Sequence, residues 1–337
     1  MVFSVTVRAQ STAKAPLQGP AYSTREEAMQ LADDIAMRRD LNPEWVRAAI
    51  GQSRKMPQAI KFITPAPKGT PKNWRVYRSR YIDAYRIQEG VKFWRANRET
   101  LARAEIEYGV PAEIIVGIIG VETVYGQQTG NFRVIDALAT LTFDFPEAHP
   151  RAKERREFFQ GELEQYLSLT SRNSTDPLSL RGSFAGAMGV PQFMPSSWVK
   201  YAIDFDGDGK VDLFNSTTDV IGSVANYFKA FNWQRGMPTH YPVTFDKSKL
   251  DLDTLMAPDI LPTFSVASFT AKGAVLDDEA MKHAGPLALI ELQNAGAEST
   301  YVAGTDNFYA ITRYNWSSYY AMAVIELGRD VAAAMKR

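Results

Sequence analysis

The chain has 337 residues, of which 45% are hydrophobic and 23% are charged, and this composition is typical of a soluble globular protein. Lysine plus arginine and aspartate plus glutamate both total 38, so no net charge is available to attract nucleic acid or an anionic membrane. The lack of cysteine excludes disulfides, thiolate metal sites, a cysteine nucleophile and cysteine-linked lipid. The length predicts two or three domains of about 150 residues each.

The histidines and the hydropathy disfavour two further classes of protein. His149, His240 and His283 lie far apart, which argues against a histidine metal cluster or a serine–histidine triad. No apolar run reaches about 18 residues, so no membrane-spanning helix is expected. Residues 1–15 contain only a short apolar run, so an export signal is either absent or already removed.

Helical patterns fill most of the chain up to residue 237. A capping box that begins at Ser23 or Thr24 predicts the start of a first helix, and Asn42 before Pro43 predicts that of a second. One long amphipathic helix is expected to end near Gly109. Loops are predicted at 61–74 and 204–215, and further helices at 111–125, 151–167, 195–201, 220–231 and 319–335. Residues 131–145 are predicted to form a helix or a short turn segment.

The composition changes after about residue 238. Short runs rich in strand-forming residues are separated there by glycine, proline, aspartate and asparagine. They predict strands at 240–245, 287–293, 300–302 and 308–312. The elements together predict an α+β protein that is mainly α-helical and has a small antiparallel β insert.

One helix carries a single carboxylate in an apolar run. Residues 114–121 read Ile-Ile-Val-Gly-Ile-Ile-Gly-Val, and Glu122 follows them directly. A helix this apolar is usually buried, so the carboxylate must be paired, protonated or at the wall of a cleft. Desolvation by these neighbours would raise the pKa of Glu122. The alternative is that Glu122 reaches the surface as the helix ends before Gly126.

Two segments have compositions that suit a sugar. Residues 182–195 combine glycines and alanines with Ser183, Gln192 and two phenylalanines, which offer hydrogen bonds and apolar ring faces without charge. Tight helix packing is the alternative role for the small residues. Residues 308–320 are dense in aromatic side chains, and they fit a binding wall or a core strand that runs into a helix.

An acidic segment matches the start of an EF-hand loop, in which oxygen ligands at positions one, three and five and glycine at six suit Ca²⁺. These positions hold Asp204, Asp206, Asp208 and Gly209, and the carbonyl of Lys210 stands at position seven. The twelfth position holds Asn215 instead of glutamate, so Asp219, beyond the loop, is expected to complete the shell. The alternative is an acidic surface turn without an ion.

The order of these motifs resembles the bacterial lytic murein transglycosylase B family. The resemblance extends from about Tyr77 to the C-terminus. It is carried by the apolar run ending in Glu122-Thr, by Asp136-Ala-Leu-Ala-Thr-Leu, Gly161-Glu-Leu, the segment from Gly182, Gln192-Phe-Met-Pro-Ser-Ser, the loop from Asp204, the helix at 221–229 and Thr312-Arg-Tyr-Asn315.

The resemblance implies a lysozyme-like helical core with an EF-hand-type loop, a helical domain built from both ends of the chain, and a small β domain. The expected boundaries are residues 1–20 for an irregular lead-in, 21–90 with 313–337 for the helical domain, 91–237 for the lysozyme-like core and 238–312 for the β domain.

The resemblance also implies cleavage of the β-1,4 bond between N-acetylmuramic acid and N-acetylglucosamine without water, which leaves a 1,6-anhydromuramoyl end. Glu122 matches the family's catalytic acid and base and would act alone, whereas hydrolysing glycosidases normally use two carboxylates. Arg155 and Arg156 match a basic pair near the glycan or its peptide stem, unless they form only a solvated helix face. The other matches are the cleft residues Ser183, Gln192, Tyr227, Tyr314, Tyr320 and Tyr77, and the calcium ligands Asp204, Asp206, Asp208, Lys210 and Asp219.

The sequence departs from the family pattern at two places, and two other functions stay open beside that of a lytic transglycosylase. Val190-Pro191 stands where a Tyr-Gly pair often occurs, and Thr217-Thr218 lengthens the stretch before Asp219 by one residue. A hydrolytic muramidase on the same scaffold could use Asp136 or Asp144 to activate water. A peptidoglycan-binding module without catalysis is the third reading.

The resemblance further implies peptidoglycan glycan strands as the partner and the periplasm of a Gram-negative bacterium as the compartment. A soluble form and an outer-membrane-associated form of a longer precursor both stay open, as do contacts with cell-wall synthesis complexes. Structural Ca²⁺ is expected, and neither an organic cofactor nor a nucleic-acid partner is.

Overall fold

The structure is a computed structural model that describes residues 19–65, 67 and 69–336. The lead-in predicted at 1–20 therefore lies almost wholly outside the described residues. Within them the chain forms fifteen α-helices and six β-strands, which confirms the mainly helical α+β class. No helix in this described part is long and apolar enough to cross a membrane.

Seven α-helices form the chain up to residue 123. Asn42 caps the second of them as predicted, because its side chain accepts a hydrogen bond from the backbone N–H of Trp45 at 3.0 Å. The helices are α1 (Glu26–Arg39), α2 (Pro43–Gln52), α3 (Pro57–Ile63), α4 (Trp74–Ser79), α5 (Ala84–Ala96), α6 (Arg98–Tyr108) and α7 (Ala112–Thr123).

Two predictions about these helices are wrong. The residues expected to cap α1 belong instead to a 3₁₀ turn, Tyr22–Thr24, and Arg25 takes the N-cap position without a side-chain bond. The long helix predicted to end near Gly109 is divided into α5 and α6 at Asn97. The Asn97 amide donates to the Phe93 carbonyl at 2.8 Å, and such a local bond competes with the helical ladder.

The middle of the chain supplies four helices and a two-stranded sheet. In that sheet β1 (Phe132–Arg133) pairs antiparallel with β2 (Arg181–Gly182). The helix predicted at 195–201 is confirmed at those bounds. The helices are α8 (Val134–Phe143), α9 (Ala152–Arg172), α10 (Pro195–Tyr201) and α11 (Thr217–Ala230).

A four-stranded antiparallel sheet in the order β4-β3-β6-β5 forms most of the β insert. Side chains alternate across it, since Ile290 and Leu292 of β5 join the main core while Leu289 joins a second apolar cluster. The strands are β3 (His240–Phe245), β4 (Ala274–Leu276), β5 (Ala288–Asn294) and β6 (Ala297–Gly304), and the short helices α12 (Leu252–Met256) and α13 (Val266–Ala271) supply Leu255 and Phe269 to the second cluster.

The strand predicted at 308–312 is wrong, because this segment forms helix α14 (Asp306–Tyr314). Thr305 caps the helix by accepting a hydrogen bond from the N–H of Asn307 at 3.2 Å. Phe308 and Ile311 are buried at helical spacing. Short apolar runs of this kind fit either element, so composition alone does not separate them.

The last helix, α15 (Ser318–Met335), packs directly against α7. A Cβ on Gly117 of α7 would lie 2.3 Å from the carbonyl oxygen of Val324, and one on Gly328 would lie 2.1 Å from that of Glu113. The two backbones therefore approach more closely than any side chain would allow. This contact places the start of α15 beside the C-terminal end of α7.

Candidate active site

Glu122 lies one residue before the C-terminal end of α7, where the backbone takes an unusual path. Val124, Tyr125 and Gly126 follow with φ angles of 51°, 57° and 89°. The left-handed region costs a residue with a side chain about 1 kcal/mol or more. Thr123 holds this turn, since its hydroxyl donates to the carbonyl of Val190 at 2.9 Å. Strained backbone of this kind is concentrated at functional sites.

Glu122 as a whole residue is half-buried, but its carboxyl group is buried next to apolar neighbours. Ile118 and Ile119 are fully buried in the preceding turn of α7. Burial raises the pKa of Glu122 to about 7, although a hydrogen bond from the hydroxyl of Tyr320 opposes the shift. A substantial fraction of this carboxyl therefore holds a proton near neutral pH.

Tyrosines dominate the surroundings of Glu122. Burial is the main cause that raises the pKa of their hydroxyls, and the nearby charge of Glu122 raises each pKa further. Sequence reasoning missed Tyr81, whose signal was its spacing of four residues from Tyr77; the two rings lie 5.0 Å apart. Within the described residues the set is Tyr77, Tyr81, Tyr227, Tyr314 and Tyr320.

Two of these tyrosines join separate elements into a wall. The Tyr227 hydroxyl on α11 donates to the carbonyl of Arg313 at 2.7 Å, and the Tyr314 hydroxyl donates to that of Pro191 at 2.5 Å. The rings of Tyr314 and Tyr320 stack at 6.4 Å with an interplanar angle of 16°. The aromatic segment at 308–320 therefore contributes Tyr314, at the end of helix α14, and Tyr320, on α15, to the surroundings of Glu122.

The glycine-rich segment is folded by the polar side chains predicted to line the cleft. The hydroxyl oxygen of Ser183 accepts bonds from the N–H groups of Ala185 at 3.2 Å and Ala187 at 3.0 Å. The Gln192 amide donates to the carbonyls of Thr129 and Gly189, both at 2.9 Å. These bonds leave the Ser183 proton and the Gln192 amide oxygen available to a ligand.

Val190 and Pro191, which stand where the family often has a Tyr-Gly pair, contact the site through their backbone oxygens. The carbonyl of Val190 accepts from Thr123 and that of Pro191 accepts from Tyr314. Because these contacts use main-chain oxygens, they do not depend on a Tyr-Gly pair at these positions.

Arg155 and Arg156 lie side by side in the sequence of α9 but differ in their surroundings. Arg155 is buried in α9, where burial and then the charge of Arg151 lower its pKa. Arg156 forms an ion pair with Glu147.

The two aspartates considered as water-activating bases are engaged with cations. Asp136 accepts bonds from Arg133 at 2.8 and 2.9 Å and from the N–H of Arg54 at 2.8 Å. Asp144 accepts from the Tyr22 hydroxyl at 2.6 Å and binds Arg25 and Lys55 at 2.9 and 2.8 Å, respectively. Both carboxylates thus attach the N-terminal part of the chain to the region of α8.

Glu162 is a second carboxylate that sequence reasoning did not assign to a site. Burial raises the pKa of Glu162. Hydrogen bonds from the hydroxyl and the N–H of Ser196, at 2.5 and 2.8 Å, act in the opposite direction. These bonds occupy both carboxyl oxygens at the start of α10. Glu162 therefore secures α10 to α9, whereas Glu122 has one bonded oxygen and an aromatic surround.

The acidic loop brings three carboxylates together. One oxygen each from Asp204, Asp206 and Asp219 lies within 4.8 Å of the others. Asp219 lies in the first turn of α11, and it reaches the other two carboxylates although Thr217-Thr218 lengthens the stretch before it by one residue. Asp208 lies outside this trio, and its Oδ1 accepts from the N–H of Lys210 at 2.8 Å. Three negatively charged oxygens at this spacing repel one another, and hard oxygen donors suit a cation such as Ca²⁺.

A carboxyl group whose pKa is raised to about 7, surrounded by tyrosines, fits the general acid of an enzyme that cleaves glycosidic bonds. The profile of the Transglycosylase SLT domain matches residues 23–329 of the chain. Membrane-bound lytic murein transglycosylase B of Escherichia coli (strain K12) is 38% identical over 325 residues, an alignment that covers 94% of this chain and 85% of that protein. The chain belongs to this transglycosylase family.

Solved structures agree with this assignment. The Escherichia coli lytic transglycosylase SLT35 is 36% identical, with coverage of 98% of this chain and 100% of that one; its complex with bulgecin A gives a TM-score of 0.83 and its complex with calcium 0.80. SltB3 from Pseudomonas aeruginosa in complex with NAG-anhNAM-pentapeptide is 27% identical with a TM-score of 0.72, and the alignment covers 91% of this chain and 79% of that one.

Proposed function

We propose that the chain is a lytic transglycosylase that cuts peptidoglycan between N-acetylmuramic acid and N-acetylglucosamine and leaves a 1,6-anhydromuramoyl end. The observation that carries the proposal is the Glu122 carboxyl, whose pKa burial raises to about 7 inside a tyrosine-lined site. Membership of the family supports it, as does the complex of the SltB3 relative with NAG-anhNAM-pentapeptide.

In the first step Glu122 acts as a general acid. Its proton passes to the glycosidic oxygen, the bond from that oxygen to C1 breaks, and the bonding electrons leave with the oxygen. Positive charge then develops at C1 of the muramoyl sugar. The N-acetyl group of the substrate would shield this carbon, which explains why a second carboxylate is unnecessary.

In the second step the Glu122 carboxylate acts as a base. It takes the proton of the C6 hydroxyl while the C6 oxygen forms a bond to C1. The carboxyl is thereby restored, and no water is consumed. The Tyr320 hydroxyl bonded to Oε1 stabilises the charged form of Glu122 between the two steps.

The cleft assignments are part of the proposal. We assign Ser183, Gln192, Tyr77, Tyr227, Tyr314 and Tyr320 to the sugar-binding surface. The charge of Glu122 acts on the hydroxyls of all four tyrosines, which supports their assignment, and Ser183 and Gln192 offer hydrogen bonds from the glycine-rich segment. Arg155 and Arg156 stay assigned to the outer glycan or its peptide. The support for them is weaker, because Arg156 would first have to leave Glu147.

We propose that the acidic loop binds Ca²⁺ through Asp204, Asp206 and Asp219, with Asp208 and the Lys210 carbonyl completing the set. The carboxylate trio and the calcium complex of SLT35 support this assignment. The ion would neutralise the clustered charge and fix the loop that leads into α11. Its role would be structural, since the trio contains neither Glu122 nor a cleft tyrosine.

The division into domains and the compartment also remain proposals. The second apolar cluster supports a separate β domain at 238–312, next to a core at 91–237 and a helical domain formed by 21–90 and 313–337. The relation to a membrane-bound lytic murein transglycosylase supports the periplasm as the compartment and peptidoglycan strands as the partner.

The two rival functions are less well supported. A muramidase needs a base for water, but the cations bound to Asp136 and Asp144 occupy both aspartates. A glycan-binding module would gain nothing from a carboxyl whose pKa is raised, because an acceptor works best when ionised.

Mass spectrometry of digested peptidoglycan in heavy-oxygen water tests the proposal. Anhydromuramoyl ends without label are expected. Reducing ends that carry the heavy oxygen would identify a muramidase instead, and intact glycan that stays bound would identify a binding module. A Glu122→Gln variant that kept full lytic activity would exclude Glu122 as the acid and base.

A further inference from the structure

A cavity of about 440 Å³ lies between α2, the turn before α1 and strand β1. Three arginines from three parts of the chain line it: Arg47 on α2, Arg54 after α2 and Arg133 on β1. The remaining lining is small or neutral, and it contains none of the tyrosines around Glu122. The cavity therefore has a chemistry of its own, which we call the arginine cavity.

The charges of the arginine cavity do not cancel. Arg47 forms a two-point ion pair with Asp33, and Arg133 forms one with Asp136. In the described part of the chain, the guanidinium of Arg54 forms only one hydrogen bond, at 3.4 Å, to the carbonyl of Gly19. Among the described residues no carboxylate lies within ion-pair distance of it, so the cavity has one uncompensated positive charge.

The paired arginines keep donors for a ligand. Arg47 and Arg133 bind their aspartates through Nε and Nη2, and within the described structure neither uses Nη1 in a hydrogen bond. Because the aspartates hold two guanidinium groups in place, little side-chain entropy remains to be lost on binding. Fixed guanidinium donors with one excess charge suit an oxyanion such as a carboxylate.

The cavity lies within reach of the proposed sugar cleft. Gln192, assigned to that cleft, bonds to the carbonyl of Thr129, and Arg133 follows four residues later. The Cα atoms of Thr129 and Arg133 can therefore be at most about 14 Å apart, and a fully extended peptide of about four residues covers the same distance. The SltB3 relative is in complex with a sugar that carries a pentapeptide, and an extended peptide of that length can place its terminal carboxylate this far from the sugar.

We propose that the arginine cavity binds the terminal carboxylate of a peptide attached to the glycan in the cleft, with Arg54 as the main contact. The inference rests on the proposed function for the identity of the glycan. The proposal adds to the sugar cleft a second recognition site, on the N-terminal helical part of the chain, which distinguishes peptide-bearing from bare glycan strands.

Calorimetric titration with NAG-NAM-pentapeptide tests the proposal, with Glu122→Gln as the background so that the probe stays intact. The same compound amidated at its peptide C-terminus is expected to bind about tenfold more weakly, because a charge-assisted bond is lost. Arg54→Ala should weaken binding of the acid by the same factor and leave binding of the amide unchanged. Arg54→Lys, which keeps the charge but loses the planar fork, should fall between them.

Arg172→Ala is the matched control. Arg172 is an exposed arginine of α9 whose side chain also makes a single 3.4 Å bond to a carbonyl, that of Ser168. Its loss removes the same charge and should change neither affinity. Equal binding of acid and amide, or an equal loss of both in Arg54→Ala, would overturn the proposal.

Two further results separate this inference from its alternatives. Inorganic phosphate that displaced the probe at lower concentration than free peptide would make the cavity a phosphate site and overturn the peptide assignment. If the unaltered protein released no anhydromuramoyl product, the proposed function would fail. An Arg54-dependent preference for the acid would survive that failure, because binding is measured without cleavage.

Discussion

The hydroxyl of Tyr320 donates a hydrogen bond to Oε1 of Glu122 over 2.5 Å, between residues 198 positions apart. Burial raises the pKa of Glu122, and this bond lowers it, with a balance of about 7. Burial by the apolar neighbours thus favours the protonated form of Glu122 that the proposed first step needs, and Tyr320 favours the ionised form that the proposed second step needs.

Replacing Tyr320 by phenylalanine is expected to move the pH dependence. The lost bond stabilises the charged form of Glu122, so the pKa should rise above about 7. The alkaline limb of kcat/KM, where the acid loses its proton, should shift to higher pH, and kcat should fall about tenfold. Tyr319→Phe is the control, since the Tyr319 hydroxyl binds Gln293 instead. An unchanged alkaline limb in Tyr320→Phe would contradict this role.

Glu122→Gln is expected to lower kcat by at least about 100-fold and to alter the pH dependence of stability. A pKa raised from 4.5 to about 7 in the folded state destabilises that state as pH rises between these two values. The native protein should therefore lose up to about 3 kcal/mol relative to Glu122→Gln as pH rises from 4.5 through the folded pKa of about 7, and the difference should become constant about one pH unit above it. Urea denaturation at pH 4.5, 6 and 8 measures it. Parallel stability curves would show that the carboxyl titrates normally.

Calcium is expected to raise the melting temperature of chelator-treated protein. At a concentration 100 times Kd, binding to the folded state contributes about 2.7 kcal/mol. Asp206→Asn should abolish the rise, because Asp206 is one of the three clustered carboxylates. Asp208→Asn tests a ligand that lies outside the cluster, and Asp278→Asn, on an exposed turn, is the control. A melting temperature independent of calcium would exclude the site.

Asp144→Asn is expected to cost stability and spare catalysis. Partial burial raises the pKa of Asp144, but Lys55, Tyr22 and Arg25 hold it below its ordinary value of 3.8. Its contribution is thus present above pH 3.8 and is lost as pH falls through the lower folded pKa. The variant should lose about 2–3 kcal/mol at pH 7, since Lys55 loses its carboxylate partner and Arg25 keeps only its ion pair with Glu27. Thermal unfolding and product analysis at low temperature measure the two effects. A stable variant without lytic activity would restore Asp144 as a catalytic base.

The features of the candidate site that could be predicted are those formed by residues close together in the sequence. The apolar run explains the raised pKa of Glu122, and the spacing of Asp204 and Asp206 predicted neighbouring oxygens. The partners of Glu122 were harder, because Tyr320 meets it only through the packing of α15 on α7. The resemblance suggested Tyr320 as a cleft residue but not its hydrogen bond. Tyr81 has no motif around it and was missed.

The errors in secondary structure have local causes that compete with periodicity. Asn97 interrupts an otherwise continuous helical pattern through a bond from its own side chain. The segment at 308–312 has the β-branched and aromatic composition of a strand, but Thr305 supplies a helix cap just before it. Each outcome depended on one polar residue at a boundary, where hydrophobic patterns carry little information.

The contact of α7 with α15 also bears on when the protein becomes able to act. During synthesis Glu122 emerges nearly 200 residues before Tyr320, and until then the apolar face of α7 has no α15 to cover it. A nascent chain, or a fragment that has lost α15 to a protease, carries the acid without the hydroxyl that stabilises its charged form. Until the final helix has been made, the Glu122 carboxyl therefore lacks the hydrogen bond that supports its proposed second step as a base.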